Sequence, residues 1–160
     1  MLKQFVSGIA GALMFAGAAM AGPLEDGLAA MNSGNFARGV TLLRPLAEQG
    51  NALAQGFLGA AYDAGAGVKK DDIEAVKWWR LAAEQGDAGA QFSLGLNYAN
   101  GTGVPKDYVL AYMWWNLSAA AQPETGDAAL ERDGIAAKMT PDQIAEAQRL
   151  AREWKPKAGN

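Results

Sequence analysis

Apolar residues in this chain fall at helical spacing, and the whole pattern restarts after 36 residues. Leu53, Phe57, Leu58, Ala61 and Tyr62 share one helix face, which predicts a helix over 52–64. The pattern stops at Gly65-Ala66-Gly67-Val68, where glycine suits the left-handed conformation that follows many helix ends. Asp71 is placed to cap a second helix over 72–85, with Glu74 three residues on as in a capping box. Gly86 ends that helix and Asp87 is positioned to cap the next. Residues 88–123 repeat the same grammar, with Gly101, Gly103, Asp107 and a second helix over 108–121. Gln55/Gln91, Leu58/Leu94, Gly59/Gly95, Tyr62/Tyr98, Trp78/Trp114 and Trp79/Trp115 are identical pairs across the offset.

A period in this range marks a repeat array, in which no single unit buries its own apolar face. Residues 22–51 form a degenerate first unit: Arg44, Ala47, Glu48, Gln49 and Gly50 match Arg80, Ala83, Glu84, Gln85 and Gly86. Its loop shortens to Ser33-Gly34-Asn35, Leu42 and Leu43 replace the paired tryptophans, and Pro45 is expected to bend its second helix or mark an irregular turn. Residues 124–160 abandon the repeat. A helix of mixed polarity is predicted over 127–138, and Thr140-Pro141-Asp142-Gln143 is a strong start for another. Ile144, Ala147, Leu150, Ala151 and Trp154 give that last helix an apolar stripe, so the pair is expected to cap the third unit. The predicted fold is all-α, an α-solenoid of antiparallel helix pairs with a C-terminal capping pair.

The order Ala-x-x-Gln-x-x-Leu-Gly-x-x-Tyr, Gly-x-Gly-Val, Asp-x-x-x-Ala-x-x-Trp-Trp, Ala-Glu-Gln-Gly resembles the Sel-one-like repeat, a tetratricopeptide-related motif of about 36 residues. Two units match closely and the first matches in its second half. The resemblance implies a solenoid whose first helices line a concave surface that holds partner proteins. Members commonly act as adaptors in signalling, envelope function and host interaction. Some cysteine-rich secreted relatives have been described as binding or hydrolysing β-lactams, but this chain has no cysteine, and nothing from that branch carries over.

Residues 1–21 have the layout of a secretory signal peptide: Lys3, an apolar run from Phe5 to Ala19, and Ala19-Met20-Ala21 before Gly22-Pro23. The competing reading, an uncleaved anchor, is weakened by Gly8, Gly11, Gly17 and the many alanines. Cleavage after Ala21 leaves 139 residues, with 13 basic and 17 acidic side chains and a net charge of −4. No basic run offers nucleic acid a footprint. The absence of cysteine means that an exported chain must be held by packing alone. A periplasmic or secreted location is expected, with no stable membrane insertion after cleavage.

Composition also bears on chemistry. The chain has no His and no Cys, so neither an imidazole base nor a thiol nucleophile is present. Ser33, Ser93 and Ser118 lie in no nucleophile motif, and Asp71-Asp72 is explained by capping. The glycine loops lack the strand and the Gly-Lys-Ser/Thr of a phosphate loop. No catalytic residue, cofactor or metal is implied, and no enzyme is expected. The paired tryptophans point about 100° apart, so one of each pair is expected in the inter-repeat core and the other on a boundary.

The resemblance places positions 2, 5, 9, 12 and 13 of each first helix on the concave face. These are Leu53, Gly56, Ala60, Asp63 and Ala64, then Gly89, Phe92, Leu96, Ala99 and Asn100. Small residues there let a partner's backbone approach, while Phe92 and Leu96 are either apolar anchors or core between repeats. The expected function is capture of another protein or peptide, most simply an envelope protein. Two rival readings are a cell-wall or β-lactam-type hydrolase or binding protein, and a self-assembling structural protein.

Overall fold

The computed structural model describes residues 22–158; the expected signal segment, residues 1–21, lies outside the described residues. Residues 22–32 are helical (α1). Seven further helices follow: α2 Phe36–Glu48, α3 Ala52–Ala64, α4 Asp72–Glu84, α5 Ala88–Asn100, α6 Tyr108–Ala121, α7 Asp127–Ala136 and α8 Pro141–Glu153. From α2 each helix packs on its neighbour in sequence as far as α7, giving an α-solenoid of antiparallel pairs. The pair α7/α8 departs from this order, because α8 packs on α6 instead of continuing the stack through α7.

The caps fall where the sequence places them. Asp71, Asp87 and Asp107 each accept hydrogen bonds from backbone N–H groups in the first turn that follows, and Asn51, which the sequence reading did not single out, does the same for α3. Gly65 and Gly101 take left-handed conformations at φ 67° and 74° and end α3 and α5. One expected detail differs: Glu74 does not reach back to complete a capping box but pairs with Lys77 at 3.1 Å. Thr140 and Gln143 do form the full box at the start of α8. Pro45 marks no irregular turn, since α2 runs through it without a break. Both Pro45 and Thr41, whose carbonyl loses its partner, are exposed, so the missing N–H leaves no sealed polar group.

Three apolar clusters fill the spaces between successive layers. Against the expectation of one boundary residue per pair, all four repeat tryptophans are buried: Trp78 6%, Trp79 8%, Trp114 7% and Trp115 2% exposed. Adjacent residues on a helix look in directions about 100° apart, so each pair serves two cores. Trp78 joins Leu43, Leu46 and Leu58 in the cluster behind α4, while Trp79 enters the next cluster with Leu94 and Trp114. Trp115 in turn enters the cluster beneath the cap, with Ile135 and Ala147. Room for the indoles comes from α3 and α5. A Cβ at Gly59 would stand 2.6 Å from Trp79 Nε1, and one at Gly95 would stand 2.5 Å from Trp115 Cδ1.

Polar ties repeat with the same period. Gln55 and Gln91, both buried, donate to the carbonyls of Ala47 and Ala83 in the preceding units. Arg44 and Arg80 donate to the hydroxyls of Tyr62 and Tyr98, each at 2.9 Å. At the junction with the cap the roles reverse, and Asn116 on α6 accepts from Arg132 on α7 at 3.1 Å. The chain then returns over α4: Trp154 meets Trp114 edge-on at 6.5 Å, and the Lys157 N–H donates to the Glu84 carbonyl at 2.7 Å.

A candidate binding groove between the first helices

The antiparallel pairing leaves α3 and α5 side by side and pointing the same way, with α4 behind them. Two cavities of about 270 and 290 Å³ lie along the seam between them. Leu53, Gly56, Phe57, Ala60, Asp87, Gly89 and Ala90 line the first; Asp63, Leu96, Asn97, Asn100 and Thr102 line the second. Trp79 and Ser93 line both, so the two form one furrow with an indole in its floor. Its length follows from the helix: Asp87 stands level with Asn51, twelve residues before Asp63, or about 18 Å at 1.5 Å per residue.

Seven of the ten positions predicted for the concave face line this furrow: Leu53, Gly56, Ala60, Asp63, Gly89, Leu96 and Asn100. Three do not. Ala64 is exposed beyond the end of the furrow. Phe92 and Ala99 pack instead on the cluster of Tyr112, Trp115 and Ile135, which joins α6 to the cap. Leu96 straddles the two environments, touching that cluster while lining the furrow.

Sequence reasoning missed Phe57 and Ser93, which occupy the sixth position of their units. Helical periodicity from Leu53 through Gly56 to Ala60 runs past that position, so the signal was present. Trp79 gave no such signal, because it reaches the furrow from the helix behind. It does so through the gap at Gly59.

Among the described residues carboxylates are the only charged groups that line the furrow, Asp87 at one end and Asp63 at the other. One oxygen of Asp87 accepts from the Ala90 N–H at 2.7 Å and caps α5. Lys70 approaches Asp63 to 4.0 Å, but its ammonium is held closer by Asp72 and by the Asp63 carbonyl. The hydrogen bond that Lys70 donates to the Asp72 carboxylate raises the Lys70 pKa above the ordinary lysine value. Among the described residues no group of three or more carboxylates gathers as a metal site would require.

Residues 52–87 and 88–123 each match the Sel1 repeat. The chain carries two Sel1 repeats. Two solved structures agree with that assignment. A protective antigen present in uropathogenic Escherichia coli strains, displaying an SLR fold, superposes with a TM-score of 0.79 at 31% identity over 84% of this chain. A Sel1 repeat protein from Oxalobacter formigenes superposes with a TM-score of 0.66 at 30% identity over 82%. This chain spans 29% of the first structure's length and 56% of the second's. No curated protein gives a match. The two matched units are the ones that build the furrow, since α3 and α5 are the first helices of the two Sel1 repeats.

Proposed function

We propose that this Sel1-repeat protein is an interaction module that captures a segment of another protein in the furrow between α3 and α5. The observation that carries this reading is the continuity of the two cavities. Together they make a trough about 18 Å long, walled by small and apolar side chains, with polar groups at its ends. Gly56, Ala60 and Gly89 leave its walls low enough for a main chain to lie close, and Leu53 and Phe57 supply apolar contact. The two carboxylates that line it, Asp63 and Asp87, stand at opposite ends instead of converging on one point, which favours binding over turnover.

The setting we propose is the bacterial envelope, in the periplasm or beyond it, after loss of residues 1–21. The charged start, apolar run and small-residue site of that segment support export. A fold held without disulfides, by tryptophans wedged against glycines, suits either redox condition. The partner is then another envelope protein. Crosslinked capture from an envelope extract tests the reading, with a Leu53→Asp, Ala60→Lys double variant beside the parent. Both substituted positions are exposed, so the variant retains its helicity. A protein held by the parent and released by the variant is the expected result; equal capture by both would move the binding surface elsewhere.

A further inference from the structure

The charge and the floor of the furrow say more about its occupant. Asp87 and Asp63 stand at opposite ends, and among the described residues no cation lines the space between them, Lys70 beside Asp63 being held by Asp72. Trp79, nine-tenths buried, lines both cavities. In the following repeat the equivalent Trp115 donates its Nε1–H to the Phe92 carbonyl at 3.1 Å. Among the described residues Trp79 makes no corresponding bond, and its Nε1–H, unlike the sealed Nε1–H of Trp78, is reachable from the furrow and free to donate to an occupant.

We propose that the furrow takes an extended polypeptide segment of a partner, with two cationic side chains about five residues apart and small apolar side chains between them. This rests on the reading of the furrow as a protein-binding site and adds its chemistry. An extended chain advances about 3.3 Å per residue, so about five residues span the roughly 18 Å between the carboxylates. Lysine or arginine at each end answers the two charges. Between them the low walls at Gly56, Ala60 and Gly89 admit the main chain, and Trp79 donates to one of its carbonyls. An acidic segment meets like charge at both ends and is rejected.

A randomised decapeptide library tests this directly, panned on the purified protein and on its Asp63→Asn, Asp87→Asn double variant. Asparagine caps a helix as well as aspartate, so the variant keeps α5 and loses only the charges. The expected pool is enriched in lysine and arginine at two positions about five apart, and the variant's pool loses that enrichment. In fluorescence anisotropy a selected peptide should bind roughly two- to fivefold more weakly to each single variant, and more weakly to the parent as salt rises. A neutral or acidic pool whose binding is abolished by Ala60→Arg would leave the furrow as a peptide site and overturn its preference for cations. A basic pool that binds the double variant undiminished would overturn it too, by placing the recognition elsewhere. No enrichment on either protein would overturn both readings together.

Discussion

Gly95→Ala sets two physical effects against each other. In a helix interior alanine is favoured over glycine by about 1 kcal/mol, so propensity alone predicts a stabilised protein. The packing predicts the reverse. The new Cβ would stand 2.5 Å from Trp115 Cδ1 and 2.7 Å from Cε2, well inside any real contact. Trp115 has no freedom to retreat: it is 2% exposed, packed beneath the cap, and tied to the Phe92 carbonyl. Overpacking of this kind costs about 1–3 kcal/mol, and loss of the indole hydrogen bond adds about 1 kcal/mol. The net expectation is destabilisation by roughly 1–3 kcal/mol, with the propensity gain subtracted. Urea unfolding followed by circular dichroism measures it; at a slope of about 2 kcal/mol per molar, the midpoint falls by about 0.5–1.5 M. Gly134→Ala is the matched control, because Gly134 lies in α7 with no atom within 4 Å of a new Cβ. It should gain about 0.5–1 kcal/mol. A Gly95→Ala protein as stable as its parent would refute the claim that glycine is present there to seat the indole.

Three further outcomes follow from the repeat geometry. Gln55 Oε1 accepts from Gln85, whereas Gln91 Oε1 is buried without a partner, because Ala121 stands where the preceding unit has Gln85. Ala121→Gln should therefore supply the missing donor and raise stability by about 0.5–1.5 kcal/mol in the same unfolding assay. Tyr98→Phe removes the acceptor for Arg80 at a partly exposed junction, and a loss of about 0.5–1 kcal/mol is expected, shrinking when Arg80→Ala is already present. On α8, the hydrogen bond from Arg149 holds the Glu146 carboxyl below the ordinary glutamate value. Its small contribution is thus present above that ordinary value and lost as pH falls through the lowered one. Carboxyl titration by NMR should show the lowered value, and Arg149→Ala should return it to normal.

Much of this architecture was legible in residue order. Fixed-offset identities gave the helix pairs, and α5 is capped by Asp87 and ended by Gly101 as predicted, since caps and left-handed turns are local chemistry. What escaped was non-local. The tryptophan pairs were expected to split between core and boundary, yet a solenoid has a core on each side of every second helix, and both indoles find one. Phe92 and Leu96 posed the same question of groove or core and received different answers, decided by the cluster that joins α6 to the cap. Helix α7 is seated by Ala128, Ile135 and Arg132, whose packing on α6 lies outside the repeat pattern and is not read from spacing. Trp79 in the furrow floor depends on the backbone gap at Gly59, which joins two helices through space.

The measurement that bears most directly on the furrow is site-specific photocrosslinking, with a benzophenone side chain installed at Ala60 and, separately, at Ile73. Ala60 lines the furrow, while Ile73 is 70% exposed at the start of α4 and lines none of the cavities along it. A discrete adduct with one envelope protein from position 60, absent from position 73, is the predicted result. Adducts of equal yield from both positions, or from position 73 alone, would contradict it.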